Sequence, residues 1–219
     1  MALRSRLQSD DVYLDIIRVY LANPFFRLTD EEVEHFRKDP RPSPLWRLIE
    51  SRHAASSNTA AKYAVFCMPK SGSSFVQNAL HNALELPVVS LTSFGRPRAA
   101  SLLGMNSREQ ELDELAITKA VIRHPEGFIS QNHTRCSLYL ASQMKFFGIT
   151  PILTVRNVLD CIVSFDDMML AWRARGGDLG WTSDAQFSLP RNYPELEPSR
   201  RYEILAASYG VWLIGFDLS

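Results

Sequence analysis

This 219-residue chain predicts a three-layer α/β fold with a mostly parallel central sheet, and three observations predict it. Two short apolar runs read as strands: Ala64-Val65-Phe66-Cys67-Met68, with the composition of a strand buried on both faces, and Pro151-Ile152-Leu153-Thr154-Val155, a strong strand within a sheet expected to be covered on both faces. Each leads through a polar cluster into apolar residues at helical spacing, the repeat of a βαβ unit. The polar clusters fall at the carboxyl ends of the strands, where open α/β sheets bind ligands.

In chain order, residues 11–22 set Val12, Ile16 and Val19 beside Leu14, Ile17 and Leu21, which predicts a helix that Asn23-Pro24 ends. Thr29-Asp30-Glu31-Glu32 starts a second short helix, with a capping threonine and acids in its first turn. Asp39 to Pro44 is a stiff, proline-rich linker, and a third helix follows from Leu45 to His53. These helices form an N-terminal prelude, residues 1–60, to an α/β core over 61–219, the whole being one domain. After the first strand, Phe75, Val76, Ala79, Leu80, Ala83 and Leu84 recur at helical spacing until Pro87. Phe128-Ile129-Ser130 is a weaker strand, followed by a helix near 136–147 that Gly148 closes. The strong strand ending at Val155 precedes a helix whose Leu159, Ile162 and Val163 are expected to face the sheet. Residues 173–198, rich in Gly, Asp, Ser and Pro, read as a surface excursion or lid, and a last helix runs from Tyr202 to Phe216.

Composition narrows the function classes. The 24 basic and 24 acidic side chains cancel, which argues against a general nucleic-acid binder but not against a small anionic ligand. Cys67, Cys136 and Cys161 are odd in number and lack metal-ligand spacing, as expected of reduced, buried thiols in the cytoplasm. No stretch approaches the roughly 20 apolar residues of a membrane span, and the N-terminus lacks a signal-peptide core.

The loop Pro69-Lys70-Ser71-Gly72-Ser73-Ser74 carries the chemistry. It places backbone N–H groups, three serines and a lysine at the start of a helix, whose N-terminus attracts anions. Gly72 permits close approach of backbone to phosphate. The loop is not a Walker A motif, because the lysine precedes the glycine. In isolation such a stretch is as readily a polar turn; its place between an apolar strand and an amphipathic helix favours phosphate.

Pro69-Lys70-Ser71-Gly72-Ser73-Ser74-Phe75 resembles the 5′-phosphosulfate loop of sulfotransferases that use 3′-phosphoadenosine-5′-phosphosulfate (PAPS). The second signature of that family, an arginine after a strand with a serine eight residues later, is matched by Arg156 and Ser164 in Val155-Arg156-Asn157-Val158-Leu159-Asp160-Cys161-Ile162-Val163-Ser164. The resemblance covers residues 63 to about 170. It implies a sulfotransferase-like P-loop fold and PAPS as co-substrate, with the bisphosphate PAP as product and no metal. It also implies that Lys70, Ser71, Gly72, Ser73 and Ser74 hold the 5′ side, Phe75 packs on adenine, and Arg156 and Ser164 take the 3′-phosphate. Arginine suits that task because its fork donates two parallel bonds.

In the family a histidine between the two signatures is the catalytic base, often after Lys-Thr. His133 occupies that place, and a histidine with pKa near 6.5 suits proton abstraction at neutral pH. Gln131-Asn132 stands where Lys-Thr is usual, so a cation is missing there unless Arg135 replaces it. His124, after Val121-Ile122, is the rival base; His35, His53 and His81 read as solvated. Lys70 is then the electrophile at the leaving phosphate. Asp166 and Asp167 are adjacent on a helix, point apart, and read as a solvated helix end rather than a metal site. Trp172, Trp181 and Met168-Met169 line an acceptor pocket or simply pack in a core.

Family members usually carry a further strand and a basic, glycine-bearing nucleotide loop, and none is visible before Ser219. A short natural form, a truncated product, and a chain completed by a partner all fit. The apolar face of Val211, Trp212, Ile214 and Phe216 favours the partner, a homo-oligomer included. Three functions stay open: an active sulfotransferase acting on a small-molecule or glycan hydroxyl, or an amine; a nucleotide-binding protein without turnover; and a magnesium-dependent kinase.

Overall fold

The structure, a computed structural model, describes residues 23–37, 44–68, 70–92, 112–134, 137–176, 189–190 and 192–207. Four parallel strands, β1 (Ala61–Cys67), β2 (Val88–Val89), β3 (Gly127–Asn132) and β4 (Ile149–Thr154), form one sheet in the order β2-β3-β1-β4. The helices are α1 (Asp30–Arg37), α2 (Pro44–Ser57), α3 (Ser73–Leu84), α4 (Glu114–Arg123), α5 (Leu138–Phe147), α6 (Val158–Ala174) and α7 (Pro198–Leu205). A 3₁₀ turn, Tyr193–Glu195, precedes α7. The α/β class and the parallel sheet are as expected. The predicted helix over 11–22, Cys136, residues 177–188 with Trp181, and the segment from Val211 to Phe216 lie outside the described residues. The end of the predicted surface excursion over 173–198 is not a lid over the site: Leu189 and Tyr193 are buried against α6.

Local chemistry explains where the helices begin. Asp113, Ser137 and Asn157 each turn a side-chain oxygen onto a backbone N–H of the first turn, capping α4, α5 and α6. Pro44 is the first residue of α2, where its missing N–H costs nothing. Gly127 opens β3 at φ +120°, and a Cβ there would lie 2.1 Å from the Ala61 carbonyl oxygen. No other residue fits that approach.

Strand β1 pairs with β3 on one edge and β4 on the other, so Ala64 sits opposite both Ser130 and Pro151. Its alternating side chains serve two layers. Ala64 and Phe66, with Phe128 of β3, join a core built from Ala55 of α2, Ile117 and Val121 of α4, and Leu140, Met144 and Phe147 of α5. Val65, Cys67 and Ile129 point the other way and are buried on the side where α3 crosses β1 and β3. The helices that follow the adjacent strands β1 and β3 therefore leave on opposite faces. That divergence opens a crevice at the carboxyl ends of the two strands.

Strand β4 is an edge among the described residues. The Thr154 carbonyl accepts from Met68 N–H (3.4 Å), so alternate residues aim their backbone at β1 and Pro151 faces outward. An outward proline forfeits no ladder bond and blunts the edge.

Two orientations differ from expectation. On α6 it is Cys161, Ile162, Phe165 and Met169 that are buried, against Met68, Leu189, Tyr193 and Leu205. Leu159 (71% exposed) and Val163 face outward, because the partner of the helix is this second cluster and not the sheet. Asp166 is not solvated: it is 1% exposed, accepts from Tyr193 Oη at 2.7 Å, and pairs with Arg201 Nε at 2.9 Å. Arg201 also donates to the Leu196 carbonyl. One carboxylate thus fastens the 3₁₀ turn and α7 to α6.

Removing one partner of a buried pair strands the other charge. Arg201→Met is expected to cost about 3–5 kcal/mol in chemical denaturation. Burial and the Asp166 bond push the Tyr193 phenol well above its ordinary value. The stability it confers is therefore complete below about pH 10, where the unfolded phenol ionises, and is lost as pH rises further. Tyr193→Phe should lower neutral-pH stability and flatten this alkaline loss in thermal melts.

Candidate phosphate-binding site

The loop after β1 is built from left-handed backbone. Lys70 stands at φ +66° and Gly72 at φ +83°. A left-handed glycine at the entry of α3 turns the chain into the helix without a steric penalty. No side chain caps α3. Its first-turn N–H groups, from Ser73 onward, have no side-chain acceptor at the cap and meet the positive end of the helix dipole.

The end of β4 holds this loop. Ser71 and Thr154 hydroxyls lie 2.8 Å apart, Ser71 N–H donates to the Met68 carbonyl (3.1 Å), and Arg156 Nη1 donates to the Lys70 carbonyl (3.0 Å). Lys70 Nζ rests 3.6 Å from Met168 Sδ, a weak acceptor. Among the described residues neither Lys70 nor Arg156 has a carboxylate partner. Two cations without carboxylate partners thus flank the loop that leads into an uncapped helix. The structure therefore sets Lys70, Ser71, Gly72, Ser73 and Ser74 on one turn at the carboxyl end of β1, and Arg156 reaches that turn from the end of β4.

Phe75 is 78% exposed at the first turn of α3, so it is not a core aromatic. Ser73 is buried and accepts from Gln131 Nε2 at 2.9 Å, whereas Ser74 is exposed. Ser164 is half-buried two turns into α6, and no hydrogen bond joins it to Arg156 among the described residues.

His133 follows β3 and reaches back to β1. Its Nδ1 lies 2.9 Å from the Cys67 carbonyl oxygen and 3.2 Å from Cys67 Sγ. A carbonyl can only accept, so the neutral ring carries its proton on Nδ1 and leaves the Nε2 lone pair unprotonated. The Cys67 thiol is placed to donate to the Asn132 carbonyl (3.4 Å), and burial pushes its pKa up. It is a neutral packing partner of the ring, not a nucleophile. His124 is excluded as the base: it ends α4, ahead of β3, at the opposite end of the sheet from the loop. His53 is not fully solvated, since Nε2 lies 3.4 Å from Asp30; His81 is exposed with Nδ1 2.7 Å from the Leu86 carbonyl.

Gln131 and Asn132 prove to be supports. Gln131 shares a face with Cys67 and steadies Ser73, while Asn132 is buried on the other face and donates to Ser130 Oγ at 3.0 Å. Strand alternation carries the signal for these roles: neighbours in sequence must serve opposite faces. Arg135 lies outside the described residues. No cluster of metal-ligating side chains occurs among the described residues. No described helix is long and apolar enough to cross a membrane.

No known protein family matches the chain, and no curated protein does. A solved structure from Chloroflexus aurantiacus, of a protein thought to be a kinase, is 16% identical and covers 68% of this chain and 80% of its own. The superposition has a TM-score of 0.33.

Space surrounds Gly72, so a methyl group there meets no neighbour and only the backbone angle resists. Gly72→Ala is expected to cost about 1–2 kcal/mol of stability by denaturant titration.

Proposed function

We propose that this chain binds PAPS and transfers its sulfuryl group to a hydroxyl or amine acceptor. One observation carries the reading most: Lys70 and Arg156, each lacking a carboxylate partner among the described residues, flank the loop that leads into the uncapped start of α3. Two cations beside free N–H groups suit a ligand with more than one anionic group. The order and spacing of the sequence signatures supply the identity of that ligand.

The chemistry asks little of the protein beyond position and charge. The acceptor's oxygen forms a bond to sulfur as the bond from sulfur to the 5′-phosphate oxygen breaks. Lys70 and the first N–H groups of α3 stabilise the charge that gathers on the leaving phosphate. His133 Nε2 takes the acceptor's proton, its ring fixed by the Nδ1 bond to Cys67. Phe75 offers an exposed ring face for adenine, and Ser164 joins Arg156 at the 3′-phosphate. The acceptor is a small molecule or a glycan, and no resident metal is needed.

A second reading has an observation of its own. Gln131 and Asn132 are committed to holding Ser73 and Ser130 and supply no cation. A protein that binds PAP or PAPS without turnover also fits that arrangement, and turnover separates the two.

Calorimetric titration with 3′,5′-adenosine bisphosphate in EDTA, beside ATP, tests the reading. Micromolar or tighter binding of the bisphosphate, with ATP much weaker, is expected; no binding of the bisphosphate overturns it. Lys70→Ala should impair use of the donor strongly, and Arg156→Ala should weaken bisphosphate binding by about 1.5–3 kcal/mol. His133→Ala should abolish transfer and leave nucleotide affinity nearly unchanged, and normal turnover in that variant removes it as the base.

A further inference from the structure

The strained residue of the phosphate loop is Lys70. Gly72 takes its left-handed angle at no cost, but Lys70 has a Cβ and stands at φ +66°. A side-chain-bearing residue stays in that region when its surroundings over-determine it. The surroundings come from the end of β4. Arg156 Nη1 grips the Lys70 carbonyl at 3.0 Å, and Thr154 holds Ser71 through a 2.8 Å contact between hydroxyls. The bond from Ser71 N–H to the Met68 carbonyl at 3.1 Å closes the turn from within.

A guanidinium presents five N–H donors in one plane. With Nη1 on the Lys70 carbonyl, the Nη2 and Nε edge makes no hydrogen bond to any described residue. That edge has the fork geometry that takes a phosphate with two parallel bonds. The backbone grip and the phosphate grip are therefore compatible in one position of the side chain.

We propose that Arg156 couples two anion subsites. It braces the Lys70 turn that shapes the loop subsite, and it offers its outer edge to a second phosphate. An anion on that edge fixes the guanidinium and so stiffens the turn; a ligand in the loop holds the guanidinium ready for the second anion. Coupling of this kind is reciprocal. This deepens the donor reading above and rests on it for the identity of the two groups. Its distinctive consequence is that Arg156 governs affinity for a ligand that never reaches its outer edge.

Adenosine 5′-phosphosulfate, which has no 3′-phosphate, is the probe. Wild type, Arg156→Ala, Thr154→Val and Ser164→Ala are titrated with it and with 3′,5′-adenosine bisphosphate. Amide hydrogen exchange at Ser71 is followed in the same proteins without nucleotide. Arg156→Ala is expected to weaken the 5′-phosphosulfate on the order of tenfold, as for a lost charged hydrogen bond. Thr154→Val keeps the shape of the side chain and should weaken it by a smaller factor. Both should speed exchange at Ser71. Ser164→Ala should weaken the bisphosphate alone and leave Ser71 exchange at the wild-type rate.

If Arg156→Ala weakens the bisphosphate but leaves both 5′-phosphosulfate affinity and Ser71 exchange unchanged, the brace is refuted and the donor reading survives. If the wild type binds neither nucleotide, the donor reading and the coupling fall together. Ser71 exchange then decides the brace by itself, with wild-type rates in Arg156→Ala overturning it.

Discussion

Strand β1 is enclosed on four sides, and the geometry of the site follows from that enclosure. Its edges are taken by β3 and β4, and its faces by the α2–α4–α5 core and by α3. A strand so confined cannot shift register without moving its buried side chains to the wrong layer. The point where it ends is fixed accordingly, and so is the loop that must turn there into α3. Lys70, Ser71 and Gly72 sit where they do because the pairing with β3 ends at Phe66, opposite Asn132, and the pairing with β4 ends at Cys67, opposite Thr154. The contacts that then tie down the loop come from those same neighbours: Gln131 on Ser73 from one side, Thr154 and Arg156 on Ser71 and Lys70 from the other.

The same enclosure orients the histidine. His133 leaves β3 at the level where β1 exposes its last carbonyl, and Nδ1 finds that carbonyl at 2.9 Å. A carboxylate at this position would favour the protonated ring, whereas a carbonyl orients the neutral one. The thiol of Cys67 completes the pocket without charge, since burial keeps it protonated. The arrangement therefore specifies a tautomer and a direction for the ring, while Lys70 and Arg156 carry their positive charge on the β4 side of the loop.

What was legible in the sequence had a signal confined to a few consecutive residues. The apolar run ending at Met68 and the glycine-containing turn emerged as expected, because a buried parallel strand and a helix start are written locally. The strand before Arg156 is present, but as an edge strand whose Leu153 is 66% exposed, not as one buried on both faces. Strand β2 is two residues long and α4 has no distinctive cap beyond Asp113, so neither stood out. The orientation of α6 could not be read from its apolar spacing. Leu159 and Val163 lie on one line and Cys161, Phe165 and Met169 on another, and both lines are apolar. The choice between them was made by Tyr193 and Leu205, from residues far along the chain. Asp166 misled for the same reason: its partners, Tyr193 and Arg201, are 27 and 35 residues away.

Gln131 and Asn132 show how the site divides its labour. Where the resembled pattern has a cation before the histidine, this chain has two amides, one on each face of β3. An amide cannot neutralise a developing charge at a distance, but it can accept and donate at once, and Gln131 uses that to fix a serine at the mouth of the helix. On the proposed reading, the electrostatic work falls on fewer groups: Lys70, Arg156 and the N–H groups of α3. Fewer cations must be placed more exactly, because charge stabilisation in a preorganised site depends on donors being set before the reaction begins. A left-handed lysine, gripped through its own carbonyl by the neighbouring arginine, meets that demand by fixing backbone rather than side chain. The side chain of Lys70 rests on a weak acceptor, Met168 Sδ, while the turn that carries it is held through stronger bonds from Arg156 and Thr154.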